Sequence, residues 1–253
     1  MIAGEAALSN WDAGMDMYIY GKLGNLTMTK EGINVLMTNL TGKVPPILQR
    51  LDYIRFNGEA AGYLHDLTLT GLFHTGAGMV KTDVMMSIDE QSMSRTYSGS
   101  VASADLDLGK LLNQEKKFGK VDFNVELKGF NYKNRYPESY IKGIISSFEY
   151  SQYQYENIML DGVYKDGGFN GRLSMDDANG SVQIDGNFNV AKTIPDFNLK
   201  ASVKNLRPHD LHLSDKYENA SISLGLTADF TGKSIDDMNG RISLGSLQLN
   251  APD

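Results

Sequence analysis

Residues 169–190, FNGRLSMDDANGSVQIDGNFNV, alternate apolar and polar positions on both sides of a short polar break. Phe169, Gly171, Leu173 and Met175 share one parity, and after the break Val182, Ile184, Gly186, Phe188 and Val190 share another. A period of two is the side-chain period of a strand with one covered face and one wet face. It is a severe constraint, because a slip of one residue turns every apolar side chain to water. Asn179-Gly180 in the break predicts a tight turn, so the stretch reads as an antiparallel hairpin.

The same pattern recurs along the chain. Val121, Phe123, Val125, Leu127 and Gly129 share a face, as do Leu199, Ala201 and Val203, and then Ile222, Leu224, Leu226, Ala228 and Phe230. Twenty-six glycines against six prolines, with no long amphipathic helical pattern, favour many strands joined by turns. The class is all-β and mainly antiparallel. Strands recurring about every 8–12 residues fit a sandwich, a barrel or a long hairpin-built sheet equally well. From Met17 to Val35 the chain reads as short strands punctuated by Gly21, Gly24 and Gly32. Pro45 and Pro46 open a short helix near 45–52, with Ile47, Leu48 and Leu51 on one side. GKLLNQEKKFG, residues 109–119, is read as one or two helical turns, and residues 131–143 as a long connection. No low-complexity linker interrupts the chain, so residues 1–253 read as one continuous unit.

A net charge of −7, with no basic block beyond Lys116-Lys117, excludes the clustered cations that nucleic acid or an anionic membrane surface requires. The absence of cysteine removes disulfide scaffolds, thiolate metal sites and cysteine nucleophiles together. No apolar run of about 18 residues is present to cross a bilayer as a helix. The start, MIAGEAALSNW, lacks signal-peptide character, and GRISLGSLQLNAPD stops just after a good strand. The chain is therefore expected to be a piece of a longer, membrane-anchored one. No G-x-S-x-G elbow occurs, and no catalytic residue, metal site or cofactor is assigned. His209 and His212 in HDLH follow Pro208 and read as loop histidines without a third metal ligand. Tyr150, Tyr153 and Tyr155 belong to a stretch, Tyr132 to Tyr164, that holds seven of the thirteen tyrosines. Such rings suit sugar stacking, and they are also good strand formers.

Two segments carry a resemblance: SVASADLDLGKLLNQEKKFGKVDFNVELKG, residues 100–129, and FEYSQYQYENIMLDGVYKDGGFNGRLSMDDANGSVQIDGNFNV, residues 148–190. The strand leading to DLG-LL, the FGKV restart and the DDANGSVQIDG hairpin resemble the TamB/AsmA-like family of bacterial envelope proteins. The resemblance covers residues 17–250. It implies an elongated antiparallel sheet curved into a U-shaped trough, the β-taco, in the periplasm of a Gram-negative bacterium. It also implies phospholipid transport between the inner and outer membranes, and assembly of outer-membrane proteins with a barrel partner.

On that reading phospholipid acyl chains are the partner and the function is non-enzymatic. The expected wall residues are Val121, Phe123, Val125, Leu127, Leu173, Met175, Val182, Ile184, Phe188, Leu224 and Leu226. Asn170, Arg172, Ser174, Gln183, Asp185 and Asn187 are expected to face water. Gly171 and Gly186 are expected to let the sheet curve and to leave space within it. Methionines such as Met79, Met85, Met86, Met93 and Met175 would give an adaptable lining. About fifteen strands of about six residues, roughly 20 Å each, would build the trough. The alternative reading is a scaffold that receives strands of outer-membrane barrel proteins on its sheet edges. A third is a carbohydrate-binding β-sandwich.

Overall fold

The computed structural model describes residues 4–10, 14–89, 91–92, 94–131, 138–189, 192–216, 218–233 and 237–251, without the side chains of residues 36 and 39–41. Among the described residues the alternation folds as an all-β protein: fourteen antiparallel strands lie in chain order in one sheet that is not closed into a barrel, with three short α-helices. Of the arrangements compatible with the periodicity, the open sheet is the one formed. Contacts divide the chain into two compact units, Met1–Lys133 and Asn134–Asp253.

Unit 1 contains β1 (Gly4–Ser9), β2 (Tyr18–Thr29), α1 (Lys30–Thr41), α2 (Pro46–Gln49), β3 (Tyr53–Tyr63), β4 (Asp66–Thr75), β5 (Gly78–Ile88), β6 (Arg95–Asp107), α3 (Leu108–Leu112) and β7 (Phe118–Asn131). Unit 2 contains β8 (Glu138–Tyr150), β9 (Tyr153–Lys165), β10 (Gly168–Asp177), β11 (Gly180–Asn189), β12 (Asp196–Leu206), β13 (Ser221–Thr231) and β14 (Asn239–Asn250). The strands are about twice the expected length. The 12-residue β2 extends about 40 Å. Gly21 and Gly24, read as boundaries, lie inside β2, where a register shift between Leu23 and Leu26 absorbs the irregularity.

Two readings of the sequence are corrected here. Residues 30–35 are helical, not strand. Thr29 caps α1, its side-chain oxygen accepting from the Gly32 N–H at 3.4 Å, and Gly42 ends the helix at φ 74° with its N–H donating to the Thr38 carbonyl. The signal was available, since Ile33, Leu36, Met37 and Leu40 fall at helical spacing. Gly32, taken as punctuation, hid it. The connection read as 131–143 is also shorter, because β8 begins at Glu138; residues 132–137 lie outside the described residues, as do Met93 and Val190. The helix near 45–52 reduces to the four residues of α2, with Pro46 at its first turn. The turns at 109–119 form as α3, capped by the Asp107 carboxylate, which accepts from the Lys110 N–H at 2.8 Å.

Glycines on the apolar parity do not open space. In unit 2, Gly162, Gly171 and Gly186 stand opposite one another on β9, β10 and β11. A Cβ at Gly171 would strike the Asp161 carbonyl and lie 2.5 Å from the Gly162 Cα, so the neighbouring backbone occupies the place of a side chain. The glycines are required by close approach of strands. Gly171→Val is expected to destabilise the protein by about 2 kcal/mol or more through overpacking. Gly225→Ala, whose Cβ would meet only Ser246 Oγ at 3.5 Å, stays within about 0.5 kcal/mol. Urea unfolding of the two variants checks the contrast.

Candidate functional site

Cross-strand register collects the alternating residues of each unit into rows that run across the strands on one face. In unit 2 a middle row joins Leu160, Leu173, Ile184, Ala201, Leu226 and Leu244. The next row joins Ile158, Met175, Val182, Val203, Leu224 and Leu247. On the other side of the middle row comes the glycine row, continued by Leu199, Ala228 and Ile242. Beyond it lies an aromatic row of Tyr164, Phe169, Phe188, Phe197 and Phe230. All seven expected wall residues of unit 2, Leu173, Met175, Val182, Ile184, Phe188, Leu224 and Leu226, therefore share one face, each half-buried.

In unit 1 the four expected wall residues share a face on β7, each in its own row. Phe123 ends a row through Leu26, Phe56, Phe73, Val80 and Ser103. Val125 faces Val101, and Leu127 faces Gly99. Val121, opposite Leu106, differs from the others: it is buried rather than open. It sits where β7 leaves α3, and the chain closes over that end of the unit.

The opposite face of β10 and β11 is polar, as expected. Asn170, Arg172, Gln183 and Asn187 are exposed, and Ser174 and Asp185 are partly so. Arg172 Nε donates to Asp185 Oδ1 at 2.6 Å directly across β10 and β11. The Asp185 carboxyl is held below the usual carboxylate range by its hydrogen bonds from Gln183 and Arg172.

Among the described residues, no second layer of strands packs over the apolar face within either unit. The protein exposes 16201 Å², whereas two separate folded chains of half its 27.9 kDa mass would total about 13,400 Å² by the usual scaling. Buried side chains gather instead where long connections fold back over strand ends. In unit 1, Ile33 of α1, Leu51 after α2 and Leu111 of α3 are buried together with Ile54 and Phe56. The Lys110 ammonium donates to Asp52 Oδ2 at 2.7 Å and to the Gly76 carbonyl at 3.2 Å, tying α3 to the start of β3. That hydrogen bond holds the Asp52 carboxyl below its usual range. Arg50 donates to the Leu111 carbonyl.

Unit 2 is closed by a strap, residues 207–216, that runs from the end of β12 back to β9. The Arg207 N–H donates to the Asn179 carbonyl at 2.9 Å in the β10–β11 turn. Leu211 is fully buried and its carbonyl accepts from the Tyr155 hydroxyl at 2.7 Å. His212, one of the two loop histidines, lies edge-on to Tyr153 and places Nδ1 2.9 Å from the Ser151 carbonyl. The tyrosines considered for sugar stacking are thus partly committed to the strap. Tyr153 donates to Asp177 Oδ1 at 2.5 Å, and Asp177 Oδ1 also accepts from the Asn179 N–H of the hairpin turn. Burial, then the hydrogen bond to Asp177, pushes the Tyr153 phenol up to about 12. Burial raises that of Tyr155 as well.

Sequence reading missed the device that seats a phenylalanine over paired glycines. In unit 1 a Cβ at Gly58 would lie 2.8 Å from the Phe56 ring, and one at Gly71 would lie 2.5 Å from it. In unit 2 the Phe169 ring lies 2.6 Å from a Cβ built at Gly162. The signal is the tripeptide Phe-Asn-Gly, at residues 56–58 and again at 169–171. Two depressions in unit 2, of about 730 and 450 Å³, are lined mainly by polar residues such as Thr227, Asp229 and Arg241 in one and Asp176, Lys204 and Arg207 in the other. They do not extend the apolar face.

Comparison of the chain with protein-family models, with curated proteins and with solved structures gives no match. The functional reading rests on the faces and their closures.

The strap yields a measurable titration. Tyr153, neutral in the fold to about pH 12, stabilises the fold fully below the ordinary phenol value of about 10, and that contribution is lost as pH rises through the folded value. Ultraviolet titration is expected to show late-titrating tyrosine absorbance that Tyr153→Phe reduces, with Tyr155 still titrating late. Leu211→Ala, which empties a fully buried site, is expected to cost about 2–5 kcal/mol in denaturant unfolding.

Proposed function

We propose that this chain is a passive, non-enzymatic conduit segment of the bacterial periplasm that shields phospholipid acyl chains in transit between the inner and outer membranes. One observation carries the reading: in unit 2 the middle row and the row beside it are unbroken aliphatic positions across six strands, with no second layer of strands over them among the described residues. Soluble proteins rarely leave so large an apolar strip to water without a use for it. Each methylene held on such a surface instead of in water avoids a cost of about 0.8 kcal/mol, so the strip lowers the cost of carrying an acyl chain through water. The polar face, with pairs such as Arg172–Asp185, keeps the segment in water.

A second reading, a scaffold that accepts strands of outer-membrane barrel proteins, is favoured by β14. Among the described residues it pairs with β13, and its apolar side chains run from 45% exposed at Ile242 to 62% at Leu249. Such an edge is a template for strand addition.

Mass spectrometry of organic extracts from the purified chain separates the two. Phospholipid is expected with the parent protein and is expected to be lost from a folded Ile184→Glu, Phe188→Glu double variant. Phospholipid in neither protein, with both folded, overturns the conduit and leaves strand addition.

A further inference from the structure

The polar face of unit 2 carries an ordered row that the conduit reading does not use. Asn170, Asn187, Asn198, Asp229 and Arg241 stand directly opposite one another from β10 to β14, and all five are exposed. Each side chain ends in a planar group able to make two hydrogen bonds side by side: an amide, a carboxylate or a guanidinium. Across neighbouring strands such groups repeat about every 4.8 Å. Among the described residues, none of the five side chains makes a hydrogen bond or ion pair within the protein. Even Asp229 and Arg241, cross-strand partners, do not close on each other.

The surroundings of the row are built differently. On one side the next row alternates in charge, through Lys142, Asp161, Arg172, Asp185 and Lys200. Its charges are turned to one another: Lys142 lies 3.5 Å from Asp161, and Arg172 lies 2.6 Å from Asp185. On the other side the row through Asn189, Asp196, Thr231 and Asn239 is polar as well. At β13 and β14 the face sinks into the depression of about 730 Å³, where Asp229–Arg241 lies between the cross-strand pairs Thr227–Ser243 and Thr231–Asn239. That volume is of the size that holds a small ligand. At the opposite end, past Val163 of β9, stands Tyr140 of β8, 39% exposed, with its hydroxyl donating to Asp161 at 2.8 Å.

We infer that this row is a binding site for a linear, uncharged oligosaccharide lying across the strands, with one sugar seated in the depression. Neighbouring hydroxyls of a sugar each donate and accept, and planar groups that bond in pairs match two of them at once. The asparagines supply both a donor and an acceptor, Asp229 accepts, Arg241 donates, and the exposed ring of Tyr140 offers a surface to sugar C–H groups. Charge selects a neutral ligand. The row holds one carboxylate and one guanidinium, and the charges beside it are largely paired, so a polyanion finds no cluster of cations. An extended peptide fits less well, because both flanking rows are polar and give its apolar side chains no place to lie. The site is on the face opposite the aliphatic rows and stands independently of them.

NMR titration of the full chain with cellohexaose and with chitohexaose tests the site. Shifts are expected at Asn170, Asn187, Asn198 and Arg241, with Leu173 and Ile184 unmoved. Asn187→Thr, Asn198→Thr, a double change suited to strands, is expected to weaken binding about tenfold or more. Ile184→Glu, Phe188→Glu is expected to bind sugar as the parent does, which separates this site from the conduit. Neither sugar binding to the folded parent, shifts confined to other residues, or undiminished binding by the folded asparagine variant would overturn the inference. A glycine–serine dodecapeptide that binds as tightly on the same residues would also overturn it and give the row to peptides. Where the asparagine variant fails to fold, Arg241→Ala decides by the same loss.

Discussion

Everything in this protein depends on parity being kept from strand to strand. A one-residue slip of β10 would move Phe169, Leu173 and Met175 to the polar face and break the Arg172–Asp185 pair. The magnitudes show which of these holds the register. An exposed ion pair contributes about 0–1 kcal/mol, whereas each large apolar side chain is worth about 1.5–3 kcal/mol fully buried and about half that at partial burial. Several apolar side chains per strand outweigh the pair. Where parity would drift, the sheet inserts an extra residue, as at the register shifts Leu23/Leu26, Ser103/Leu106, Val203/Leu206 and Gly225/Leu226.

The same rule explains what was legible in the sequence. Wall residues such as Leu173, Ile184 and Leu224 could be named because a period of two, once recognised, assigns a face to every position. Strand length was misjudged because glycine is ambiguous. It ends strands in many proteins, but here Gly21 and Gly171 sit inside them, and at Gly171 the neighbouring backbone takes the place of a side chain. α1 was masked by the same ambiguity at Gly32. The strap at 207–216 has no period to read, and its anchor, a tyrosine hydroxyl reaching a carbonyl 56 residues away, is a tertiary event. Val121 carried the right parity and a different fate, because parity tells a side chain's face and not whether something lies over it.

Open faces and closed ends occur together in each unit. An apolar face closed nowhere would have few fully buried contacts to hold it. Here the two fully buried large side chains, Ile33 and Leu211, lie on the connections that close strand ends. Phenylalanine rings over glycines add stiffness where the backbone would otherwise be least supported.

Within each unit, extensive strand contacts join neighbours in chain order. Such a ladder closes short loops one after another, and topologies built from local pairings fold fast because little entropy is lost before each contact forms. Each new strand finds its partner already in place, so a unit can zip from any hairpin and assemble in the order in which it emerges. The end closures break this locality, with Lys110 reaching Asp52 across 58 residues and Tyr155 reaching Leu211 across 56. They can lock only after the intervening strands have paired. A half-formed unit is thus an open ladder, and the clasp at its end marks completion.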